Sequence, residues 1–255
     1  MVFPLMERAG YREANDAVLA AAAVSEGRLG IPSLGRGALM PGERYPGAPL
    51  ILAHLGVTDL GWIWRRLDEH PSLFFDTAWW NPADHLALFA HVPPGRILLG
   101  SDTPYGTPAA AAIVAIRCAL HAGLTATQVQ AVTGGQLQRL LTADDPADLG
   151  SAPGPSPPRP PLLDRVFTLF IAALARMLDG QPATGLLQLA HLGCQTGPHT
   201  PHALLLSQIS ELLDHQQRYA QTIHLDGRRT AGFHLVLTAA ALAATPSVGG
   251  EEGQE

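Results

Sequence analysis

Three residues in this chain combine a reactive side chain with a setting suited to chemistry: His54, Asp76 and Asp102. Each follows a short apolar run, in LILAH, LFFD and RILLGSD. An imidazole can take up a proton or ligate a divalent metal. A carboxylate can transfer a proton as a general acid or base, or serve as a second ligand. Each residue also has a plain structural use. A histidine after a strand can simply be hydrogen-bonded, and an aspartate in a turn can tie the loop to itself. For His54 and Asp76 taken alone, the structural use is the simpler reading. Asp102, in Gly-Ser-Asp-Thr-Pro-Tyr-Gly, is open between anchoring its loop and catalysis. Trp79 and Trp80, just after Asp76, could line a pocket or pack into a core or interface.

The elements that must carry these residues are legible. The runs 50–53, 73–75 and 96–99 are short, apolar and bounded by Gly and Pro, as parallel strands buried on both faces are. The polar residues then lie just past the carboxyl ends, where α/β folds place their sites. Helices are predicted over 12–25, 62–69, 82–91, 108–121 and 125–141. The last opens with a capping box, Thr125 and Gln128. Strand and helix alternate, which is the α/β pattern with a parallel sheet. Residues 143–161, ADDPADLGSAPGPSPPRPP, form a Pro-rich, extended linker. Beyond it the chain reads as all-helical, over 162–179, 183–194, 202–222 and 230–244, ending in a frayed acidic tail.

Composition narrows the function classes. The net charge of −6 gives no electrostatic support to nucleic-acid binding. Every one of the sixteen basic residues is arginine, so Schiff-base lysine chemistry and a carbamylated-lysine metal bridge are excluded on this chain. Cys118 and Cys194 read as two separate buried thiols. His70, His85, His91 and His121 read as surface or helix-cap residues. His199 and His202, in PHTPH, lack the spacing of a recognised metal site. Neither G-x-S-x-G nor G-x-G-x-x-G occurs. The apolar segments are broken by charge or too short to span a membrane, and the expectation is a cytoplasmic protein with no membrane partner.

Four segments in order, ILAHLG, LFFDTAWW, RILLGSDTPYG and VTGGQLQRLL, resemble the last strands of the metal-dependent amidohydrolase superfamily. The nearest branch includes uncharacterised hydrolases and aromatic-acid decarboxylases. The resemblance implies a (β/α)8 barrel whose residue after strand six, here His54, and whose residue after strand eight, here Asp102, face a divalent metal such as zinc. It implies Asp102 as the catalytic acid or base, His54 and Asp102 as metal ligands, and a small-molecule substrate. VTGGQLQRLL is similar to the helix that closes the barrel, with Gln136 where the family usually has Asn.

The likeness covers about residues 45–142 and departs from the family earlier. No histidine precedes His54, so the paired His-x-His after strand one and the histidine after strand five are absent. The fold class expected is therefore α/β: an incomplete TIM-barrel-like set of parallel βα units over 1–142, the linker 143–161, an all-α domain over 162–246, and a disordered tail over 247–255. Such a part-barrel is expected to expose two sheet edges and an apolar inner face. Two ligands hold a metal weakly where a catalytic zinc takes three. Two functions follow. One is a metal-dependent hydrolase or decarboxylase of a small molecule. The other is a non-catalytic barrel remnant acting as a binding or oligomerisation module, compatible with a homo-oligomer.

Overall fold

The computed structural model describes residues 49–56, 63–222 and 231–248. The helix expected over 12–25 and the Gly/Pro-rich stretch after it lie outside the described residues.

Three strands form a parallel sheet in the order β1 (Leu50–Leu52), β2 (Leu73–Asp76), β3 (Ile97–Leu98). The register pairs Leu50 with Leu73, and Phe75 with Ile97. Side chains alternate across a strand, so this register sorts them into two sets. Leu50, Leu52, Leu73, Phe75 and Ile97 face one side; Ile51, Phe74 and Leu98 face the other. Both sets are buried, as the unbroken apolar runs require. Each such Leu or Phe contributes roughly 1.5–3 kcal/mol by leaving water.

The first face packs on α1 (Pro82–His91) and α2 (Pro108–His121). Asn81 caps α1, its side chain accepting from Ala83 N–H, and Pro82 supplies the preset first turn. Thr125 and Gln128 form the expected capping box at the start of α3 (Ala126–Gln130). The single helix predicted to follow is instead interrupted. A π-helical turn, Ala131–Gly135, separates α3 from α4 (Gln136–Leu141). Gly134 and Gly135 hold a helix poorly, and Thr133 Oγ1 donates back to Val129 and Gln130 carbonyls. The segment at 62–69 also differs: Trp64–Glu69 is a 3-10 helix.

The π turn and α4 correct the expectation of an exposed inner face. Leu137 and Leu140 of α4 pack on Ile51, Phe74 and Leu98, which are 2%, 0% and 2% exposed. On the outer side of β3, Leu99 N–H donates to the Val132 carbonyl at 2.9 Å. The apolar face is covered, and the β3 edge is capped where it leads to Asp102.

The Pro-rich segment is tied down. Gln136, fully buried, donates to Gly95 O at 2.6 Å and accepts from Ala147 N–H at 3.0 Å. Gln128 donates to Leu149 O at 2.8 Å. Four helices follow: α5 (Pro161–Leu178), α6 (Thr184–Cys194), α7 (Ala203–Thr222) and α8 (Phe233–Ala244). The small side chains Ala239, Ala240, Ala241, Ala243 and Ala244 are fully buried, and α8 packs closely on α2 and α5. One apolar cluster thus runs from the sheet through α2 into α5 and α8. Arg117 of α2 donates to Thr245 Oγ1 and to the Thr245 and Val248 carbonyls, a cation at the negative end of α8. Both cysteines are free and buried. Among the described residues no helix is long and apolar enough to cross a membrane.

Candidate active site

The carboxyl ends of the three strands bring His54, Asp76 and Asp102 to one edge. Asp76 ends the middle strand, between the strand that leads to His54 and the strand that leads to Asp102. Adjacent strands are about 4.8 Å apart, which puts β1 and β3 roughly 10 Å apart.

Backbone geometry marks the two outer residues. His54 and Leu55 have φ of 56° and 61°, and Asp102 has φ of 54°. This left-handed region is costly for a residue with a Cβ, least so for Asp. Leu55 is drawn into it while fully buried. Non-glycine residues persist there only where their surroundings over-determine them, often at functional sites.

Those surroundings are specific. Asp76 Oδ1 accepts from His54 N–H at 2.8 Å and from Ala78 N–H at 3.0 Å. His54 Nδ1 lies 2.6 Å from the Ala78 carbonyl oxygen. A carbonyl only accepts, so Nδ1 carries the ring proton. Nε2 then carries the ring's lone pair, with no partner among the described residues, and can take a proton or meet an electrophile. Trp79 stands 6.1 Å from the His54 ring and 5.8 Å from Trp80, centroid to centroid. Its indole N–H donates to Asp84 Oδ2 at 2.7 Å.

Burial pushes the Asp76 carboxyl above its ordinary range. The Ala78 and His54 N–H groups and the charge of His54 pull the other way, and the charge of Asp102 adds to the rise. Asp76 therefore senses both outer residues, and its role as loop anchor is visible in its two backbone bonds.

Asp102 is exposed, and its carboxylate has no hydrogen-bond partner among the described residues. Its carbonyl accepts from Tyr105 and Gly106 N–H at 2.7 and 2.8 Å, which turns the loop. Two glycines make that loop possible. A Cβ on Gly100 would stand 3.1 Å from Asp76 Cβ and Cγ, and one on Gly106 would run into the Ser101 carbonyl.

The sequence reading missed one residue. His85, expected on the surface or at a cap, is 0% exposed. Its Nε2 lies 3.0 Å from Thr77 O and its Nδ1 3.0 Å from Asn81 O. His70 and His121 are likewise buried, while His91 is exposed as expected. A single histidine in an amphipathic helix carries no periodic signal of the side it takes. The one available hint was its position four residues after the cap Asn81.

The metal implied by the resemblance fits these residues poorly. His54 Nε2 and the Asp102 carboxylate are two candidate donors. Among the described residues no group of three or more His, Cys, Asp or Glu is placed to hold a metal ion. No histidine in the sequence precedes His54 to complete the set.

One of three comparisons with known proteins finds a family similar to part of the chain. The family model described as Amidohydrolase matches residues 41–135. No curated protein and no solved structure gives a match. The matched stretch, well under half of the chain, contains all three strands and each of His54, Asp76 and Asp102, and this segment is similar to the amidohydrolase family.

Proposed function

We propose that the chain hydrolyses a small amide, ester or lactone at the carboxyl edge of its sheet. Asp102 is the proton-transferring carboxylate. His54, through Nε2, is the imidazole that polarises or protonates the reacting group. The observation that carries this reading is the pair of left-handed residues, His54 and Asp102, flanking the half-buried Asp76. An edge shaped only for stability would hold glycine or asparagine there. The superfamily match supports the reaction class.

In this reading the exposed Asp102 carboxylate accepts a proton from water, and the water oxygen attacks the carbonyl carbon. His54 Nε2, when protonated, donates to the developing oxyanion or to the leaving group. Asp76 transfers no proton: its Oδ1 fixes the His54 and Ala78 backbone so that the ring stays turned outward. The described residues do not form a three-ligand metal centre, and no step is assigned to a cation.

The test is hydrolysis by the purified full chain of a panel of aryl esters, lactones and anilides, with and without chelator and added Zn²⁺ or Mn²⁺. Asp102→Asn is expected to lower kcat by about 100-fold or more, the usual size of general-base catalysis. A rate that survives in Asp102→Asn and His54→Gln contradicts the assignment. Absence of turnover on the whole panel, with and without metal, favours the binding-module function instead.

A further inference from the structure

Three contacts hold the loop 77–81 to the first turns of α1. Asn81 caps the helix, Asp84 takes the Trp79 indole N–H, and His85 reaches Thr77 O. The third differs in what lies on its far side. Thr77 O and Ala78 N–H belong to one planar peptide unit, so anchoring one end orients the other. That Ala78 N–H donates to Asp76 Oδ1, which also accepts from His54 N–H. The next carbonyl, Ala78 O, accepts from His54 Nδ1. Thr77 is itself held by Leu98 O through its N–H and by Gly100 N–H through its hydroxyl.

We infer that His85 is a positioning residue: its Nε2–H, donated to Thr77 O, fixes the Thr77–Ala78 peptide and thereby the tautomer and direction of the His54 ring. The inference rests on reading His54 as the site imidazole. The chemistry supports a committed donor. A neutral imidazole has a single N–H, and here two carbonyl oxygens lie at 3.0 Å, one on each nitrogen. Asn81 O already accepts from Asp84 N–H and His85 N–H at the start of the helix. Thr77 O receives the short i+2 contact from Trp79 N–H at 2.7 Å. A proton on Nε2 secures that turn, whereas a lone pair there would repel the carbonyl that the turn depends on. Donation into a peptide carbonyl also strengthens the donor at its other end, the Ala78 N–H that holds Asp76.

The experiment is ¹⁵N NMR of the histidine rings in the full-length protein, with the His54 signals assigned through His54→Gln. In the wild type, His85 Nε2 is expected to be protonated and His54 to be in the Nδ1–H form. In His85→Leu the ratio of Nδ1–H to Nε2–H tautomers at His54 should fall about fivefold, the shift one ordinary hydrogen bond supplies. His85→Gln, whose amide can still donate to Thr77 O, should restore the ratio. A proton found on His85 Nδ1 and not on Nε2 overturns the inference without any variant. So does an unchanged His54 tautomer in folded His85→Leu. If His85→Leu does not fold, the wild-type Nε2 assignment and the His85→Gln ratio decide. The readout needs no substrate, so absence of hydrolysis sinks the proposed function and leaves this inference to stand or fall by its own spectra.

Discussion

The carboxyl edge of the sheet and the helical layer of α5 to α8 are stabilised in different ways. In the helical layer the buried surface is almost wholly apolar, from Leu163, Val166 and Phe170 to the alanines of α8. At the edge the contacts are polar and particular: Asp76 to two backbone N–H groups, His54 to Ala78 O, His85 to Thr77 O. The helical layer contains few atoms whose exact direction matters. The edge contains few whose direction does not. Three of its residues, His54, Leu55 and Asp102, also have left-handed backbone that a side chain disfavours. A fold spends conformational freedom in this way where position, rather than stability, is the product.

That contrast predicts opposite responses to mutation. The largest effect falls in the helical layer. Phe170→Ala, at a fully buried position, should cost about 3–5 kcal/mol by transfer and cavity terms, read by denaturant unfolding. At the edge the chemistry of the replacement should matter more than its size. Asp76→Ala leaves the His54 and Ala78 N–H groups without their acceptor and should cost about 2–4 kcal/mol. Asp76→Asn keeps an acceptor and removes a charge that burial disfavours, so it should stay within about 1 kcal/mol of wild type at neutral pH. Equal losses in both would mean that Asp76 acts only as a charge.

The anchoring of the Pro-rich segment by Gln136 should respond next. Gln136→Ala removes the bonds to Gly95 O and Ala147 N–H and should cost about 1–3 kcal/mol. Hydrogen exchange at the Ala147 amide should accelerate with it.

A smaller effect concerns pH. Burial holds His85 below its ordinary 6.5 in the folded chain, against the pull of the two carbonyls and of Asp84. As pH falls the unfolded chain binds this proton first. The contribution of His85 is thus intact above pH 6.5 and is lost progressively below it. The slope of stability between pH 7 and 5 should be shallower in His85→Gln, by an amount on the order of 1 kcal/mol over the interval. The smallest effect lies on the outer face of α6, where Leu192, 63% exposed, should accept glutamine within about 0.5 kcal/mol.

The sequence made the sheet readable because apolar runs buried on both faces have few other solutions. The runs ending before His54, at Asp76 and before Asp102 gave the strands, their parallel sense and the edge. The caps Asn81 and Thr125 follow from local chemistry, and the helices beyond the linker lie within three residues of their expected bounds. What was illegible depends on three-dimensional coincidence. No local pattern shows that Val132 O would cap β3, that α4 would cover Phe74, or that His85 would turn inward to Thr77. The family resemblance named His54 and Asp102, and only the folded chain reveals their shared left-handed backbone. Hydropathy predicts an open inner face because burial by a helix after a π turn is not a pattern that it carries.

The most direct measurement is stability and hydrolysis together on Asp102→Gly. Glycine takes the left-handed backbone at Asp102 without penalty, so stability should hold to within about 1 kcal/mol while turnover falls about 100-fold or more. Turnover that survives the substitution would contradict the claim that this edge holds Asp102 for catalysis.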